Sequence, residues 1–144
     1  MRGLLALGSF SIFILLSSFS YGEIKHADRK LDGHNFSGTL RIDRGFWRWI
    51  SSRDKIQFED GMMIWGSGKS GGYYPSAYTE TDSVKGVVIF EAFFTNENGD
   101  NMVWKGGYDG SKIFEVKAKW VRNERNLFYD ILLPKTVHWS FEPH

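Results

Sequence analysis

Few residues in this chain offer a starting point for chemistry. Glu91 stands between Ile89 and Phe93 on one face of a stretch that is apolar on both sides. Burial there would raise the pKa of its carboxyl group and make it a candidate acid or ligand anchor. Asp130, between Phe128 and Leu132, poses the same question. A glycosidase needs two carboxyl groups at a defined separation, and two isolated acids on different segments do not establish one, so no catalytic residue is assigned. The histidines at 26, 34, 138 and 144 show neither H-x-H nor H-x-x-x-H spacing, and no metal site is expected. The absence of cysteine removes thiol catalysis, cysteine-ligated metal and disulfides. Serines are frequent, and Gly68-Lys69-Ser70-Gly71-Gly72 matches the bare G-x-S-x-G pattern, but the double glycine and Pro75 oppose the helix that a nucleophile elbow needs, and no serine is assigned a catalytic role.

Gly66, Gly68 and Gly71 match the G-x-G-x-x-G pattern of dinucleotide-binding turns. That chemistry also requires a helix to start at the glycines, because the helix N-terminus supplies the positive end that meets pyrophosphate. Here Gly72, two tyrosines and Pro75 follow, which oppose an immediate helix. The P-loop alternative would need glycine at position 63, where Met63 stands. The segment is read as a connection, and no cofactor is expected.

Aromatic residues carry the stronger signal. They make up 17% of the chain, a high content. Trp104, Trp120 and Trp139 lie in alternating segments and can line a pocket for an apolar or planar ligand. Tyr73, Tyr74 and Tyr78 fall in a long connection, residues 67–83, where their rings can cover a cavity mouth and their hydroxyls hydrogen-bond a sugar or other ligand. With Glu91 these six form the candidate ligand-binding set. A second stretch, residues 44–53, interleaves Arg44, Arg48 and Arg53 with Phe46, Trp47 and Trp49, a combination suited to an anionic glycan or a membrane surface through charge and cation–π contact. For each of these groups, ordinary core packing or a solvated face is the competing reading.

The elements that must position these residues read as β-strands. Phe36, Gly38, Leu40 and Ile42 share one face of a period-2 segment, and Phe114, Val116, Ala118 and Trp120 another, with Glu115, Lys117 and Lys119 opposite. Val137, Trp139 and Phe141 alternate with His138 and Ser140. Asp60-Gly61 and Asp109-Gly110 suit tight hairpins. About nine strands are expected, at 36–42, 46–50, 55–59, 62–66, 84–95, 101–106, 111–122, 127–133 and 136–142, with a short helical turn as the alternative at 46–50. This all-β pattern predicts an antiparallel meander closing into a small barrel, because closure pairs exposed strand edges. A two-sheet β-sandwich is the alternative. The expected architecture is calycin-like and looks like that of lipocalin- or avidin-type barrels, although no motif diagnostic of either is present and fold likeness alone does not fix function.

The N-terminus is set apart from this domain. Arg2 precedes an apolar run from Leu4 to Leu16, and Ser20 and Gly22 place small residues at the −3 and −1 positions of a cleavage site. Residues 1–22 are therefore expected to be a signal peptide cleaved near Gly22, residues 23–34 a polar leader, and residues 35–144 a single β-barrel-like domain. The alternative is an uncleaved anchor, since the run approaches the roughly 20 residues of a spanning helix; membrane association would then come through that segment. The chain carries 18 basic against 17 acidic residues, and removing Arg2 leaves the domain formally neutral, which argues against a nucleic-acid partner. The reading is an exported, secreted or periplasmic, small binding protein that holds an apolar or aromatic ligand in or at the mouth of the barrel. The alternatives are a surface-recognition module for a glycan, envelope component or protein, and a hydrolase or isomerase using a buried carboxylate. Oligomeric state is not legible.

Overall fold

The computed structural model describes residues 28–123 and 131–144. Eight strands run in chain order: β1 (Asn35–Ile42), β2 (Ser51–Glu59), β3 (Met62–Trp65), β4 (Ser76–Asp82), β5 (Val88–Thr95), β6 (Asn101–Tyr108), β7 (Ile113–Val121) and β8 (Thr136–Pro143). Each pairs antiparallel with its chain neighbours, and β8 returns to β1, so the sheet closes into a meandering barrel. The barrel expected from the alternation is present, with three differences in its elements. Residues 46–49 form a turn instead of a strand. Part of the supposed long connection at 67–83 is strand β4, preceded by a 3-10 turn over Ser67–Gly71. Of the strand expected at 127–133, residues 127–130 lie outside the described residues, and 131–133 are not extended into the sheet. The expected signal peptide also lies outside them.

Register explains which side chains fill the interior. Around one level of the barrel, directly opposed positions run Tyr78–Ala92–Trp104–Ala118–Trp139–Ile42. At the next level Phe90 faces Gly106, and Val116 faces Phe141, which faces Leu40. Large residues stand beside small ones, which lets rings from neighbouring strands share a narrow lumen. In β7 the alternation slips once: Ile113 and Val116 are both buried while Phe114 is half-buried. Glu115 adopts φ +49°, and the β6–β7 register shifts between Lys105 and Gly107. This bulge moves Phe114 off the interior face.

The stretch expected as a leader is part of the fold from residue 28 on, and it closes one end of the barrel. Leu31 is fully buried, and its N–H donates to Glu80 at 2.9 Å. Gly33 N–H donates to Phe58 O at 2.8 Å. The Asp32 carboxylate accepts from Gly61 N–H at 3.0 Å and from the Tyr78 hydroxyl at 2.7 Å, while the Arg29 guanidinium lies 5.0 Å above the Tyr78 ring and donates to Tyr78 O.

Closure depends on a glycine. A Cβ on Gly38 would lie 2.4 Å from Glu142 O and 2.6 Å from the Phe141 ring across the β1–β8 seam. The backbone oxygen cannot move without disturbing the ladder that closes the barrel. Gly38→Ala is therefore expected to destabilise the fold by about 1–3 kcal/mol, read as a lower denaturation midpoint in urea. Unchanged stability would show that the seam is looser than this packing implies.

Candidate functional site

The interior is filled by the protein's own side chains. Trp104 and Tyr78 are fully buried, Tyr73 is buried at the end away from residues 28–34, and the half-buried Trp120 and Trp139 pack against the same core. Trp65, which the sequence reading did not single out, joins them: its ring centroid lies 5.3 Å from Tyr73 and 5.5 Å from Trp104. The Trp120 indole N–H donates to the Tyr73 hydroxyl at 2.9 Å. Five of the seven candidate residues thus belong to one aromatic core. Tyr74 is exposed and stands apart from it.

Glu91 is exposed on the outer wall, directly between Thr79 and Lys105. The burial that would have raised its pKa does not occur, because Val88, Phe90, Ala92 and Phe94 form the buried face of β5. Both faces of that strand are apolar in sequence. The inward choice of the even positions keeps a carboxylate in water, where its charge costs least. Tyr78 also departs from its expected place in a lid: it lies in β4 and points into the core.

The glycine pattern at 66–71 is occupied by a local carboxylate. Asp54 accepts from the Trp65 indole N–H at 2.7 Å, from Ser67 N–H at 3.0 Å and from the Ser67 hydroxyl. A Cβ on Gly68 would meet the Trp65 ring at 2.4 Å, so this glycine permits ring packing. The five-residue 3-10 turn directs these donors to an acid.

Two indole N–H groups, those of Trp104 and Trp139, are buried with no acceptor among the described residues. In register they flank Ala118. Next to Trp139 in the sheet is Ile42, and Ile42 forms the floor of a cleft with Val137. This cleft has a volume of about 490 Å³ and lies at the end of the barrel opposite residues 28–34, where β1 ends and β8 begins. Phe46 and Trp47 form one wall, and Ile131, Leu132 and Pro134 the other, with Arg44 and His138 at its polar edge. The Trp47 indole N–H donates to Leu132 O at 3.1 Å and ties the two walls together, while Asp43 N–H donates to His138 O at 2.7 Å and fixes the loop to β8. A larger depression on the outer wall, about 750 Å³, is lined by charged and polar side chains, Arg53, Asp54, Lys55, Ser67 and His144 among them, and by no apolar one.

The arginine–aromatic stretch was visible in the sequence. Its partner wall was not, since the two loops meet only through the closed barrel. Among the described residues no group of three or more His, Cys, Asp or Glu side chains is arranged to hold a metal, and Asp130 lies outside them. Compared with known proteins, the chain matches no family model, no curated protein and no solved structure.

Charge shifts concentrate at the closed end. Burial, then the hydrogen bond to the Asp32 carboxylate, push the Tyr78 phenol well above the usual tyrosine range. Burial also raises Tyr108, whose hydroxyl lies 3.1 Å from His34 Nε2. At the β6–β7 turn, the backbone N–H groups of Lys112 and Ser111 hold Asp109 below the usual carboxylate range. A phenol whose pKa is raised on folding stabilises the native state below the unfolded pKa of about 10 and loses that contribution as pH rises through the folded value. Tyr78→Phe is expected to cost about 1 kcal/mol at neutral pH, and the gap between the two proteins should narrow steadily above about pH 10. A constant gap across alkaline urea titrations would contradict this linkage.

Proposed function

We propose that this protein is exported and binds a small apolar or aromatic molecule at the open mouth of the barrel. The observation that carries this reading is the cleft of about 490 Å³, a volume within the common range for small-molecule sites. Its floor consists of core residues, Ile42 and Val137, so it is supported from below by the rigid sheet. Apolar walls favour a ring or short chain. Arg44 and His138 at the edge favour an acceptor or acidic group on the same molecule. A filled lumen argues for a ligand held at the mouth and against one enclosed deep inside. Export is supported by the charged start, apolar run and small-x-small end of residues 1–22.

Anilinonaphthalene sulfonate, an aromatic anion, is a suitable probe. The protein should bind one equivalent, and Leu132→Glu should weaken binding at least tenfold without lowering thermal stability, since it places a carboxylate in the apolar wall. Trp120→Ala should leave affinity much less affected. The reverse ranking would move the ligand into the lumen, and loss of neither would remove the cleft from the reading.

The mass of the protein recovered from its source tests export separately. A chain beginning at Glu23 is expected, and a full-length chain would instead support an anchor.

A further inference from the structure

We infer that the rim of the open end is a docking surface for an anionic lipid bilayer. Among the described residues, seven large apolar side chains are exposed, and four of them gather here: Phe46 at 81%, Trp49 at 70%, Ile131 at 82% and Leu132 at 47%. They come from the two loops joined by the Trp47–Leu132 hydrogen bond, so they are presented together. Phe46, Trp47 and Trp49 form a connected ring cluster, with centroid separations of 5.1 and 6.0 Å. Core packing does not account for side chains this exposed, and a clustered apolar patch marks an interaction surface.

Charge selects the partner. Arg44 and Arg48 are exposed in the same loop, and neither forms an ion pair among the described residues. The adjacent acid, Asp43, is already held by Lys117 at 3.0 Å. Tryptophan and phenylalanine beside unpaired arginines match the headgroup region of a bilayer, where rings lie at the interface and guanidinium groups meet lipid phosphates and anionic headgroups. A soluble apolar ligand fits between the walls of the cleft. It would leave the outward surfaces of Phe46 and Trp49 in water, so the bilayer accounts for residues that the cleft does not use. The inference does not depend on the cleft holding a ligand.

The chain contains its own reporter. No tryptophan precedes Trp47, so indole fluorescence is insensitive to any insertion of the apolar N-terminal run. The full chain is mixed with phosphatidylcholine–phosphatidylglycerol vesicles whose acyl chains are brominated, and in parallel with phosphatidylcholine vesicles. Indole fluorescence should be quenched on the mixed vesicles and much less on the neutral ones. Each basic side chain near an anionic surface contributes about fivefold in partitioning, so Arg44→Gln with Arg48→Gln should weaken binding to mixed vesicles roughly thirtyfold. Trp49→Ser should remove most of the quenching while the melting temperature stays unchanged. Sedimentation with vesicles but no quenching would assign binding to the N-terminal run and overturn the inference. Equal partitioning of the arginine variant, or no vesicle binding at all, would also overturn it. A dimer that dissociates on Trp49→Ser would give the rim to a second copy of the chain instead. The probe titration without vesicles reads the cleft independently, so either reading can fail alone.

Discussion

Everything else in this structure depends on closing eight short strands around a lumen that side chains must fill. The level Tyr78–Ala92–Trp104–Ala118–Trp139–Ile42 shows how this is done. Two indoles and a phenol can occupy one level only because alanine separates them on the neighbouring strands. Burial of a large aromatic ring contributes about 4–6 kcal/mol as an upper bound. A buried indole N–H without an acceptor costs about 1–3 kcal/mol. Trp104, fully buried, is therefore tolerable in the core even with its N–H unpaired among the described residues, because ring burial is the larger effect.

A filled lumen moves recognition to the ends of the barrel, and the two ends differ. Residues 28–34 cover one with a buried leucine and a network around Asp32, Tyr78 and Glu80. At this end polar groups pair with one another around a buried side chain. The other end is finished by two loops that meet around an apolar cleft and leave aromatic and aliphatic side chains in solvent. Free energy that the first end gains by satisfying its polar groups is left ungained at the second, where apolar surface is available to a ligand or a bilayer.

Particular strands show how far the pattern could be read. In β8, Val137, Trp139 and Phe141 alternate with polar residues, and the burial of Val137 and Phe141 with Trp139 packed between them followed directly. In β5 both faces are apolar, so alternation had no preference and left open whether Glu91 is buried. Only pairing with β4 and β6 decided it. Strand β4 was missed because Ser76–Asp82 contains a single buried side chain, Tyr78, among polar neighbours, and the glycines before it suggested a loop. The cleft was half legible: the arginine–aromatic loop stood out, but its floor and second wall come from residues distant in the chain.

By itself the sequence determined the all-β class, the meander and most strand positions, because period-2 burial and turn chemistry are local properties. It also excluded cysteine chemistry outright. Tertiary structure alone decided which face of an ambiguous strand turns inward, where the bulge at Glu115 shifts β7, and which loops converge at the mouth. Those outcomes follow from register and closure around the whole barrel. They depend on contacts between segments far apart in sequence, which no local pattern contains.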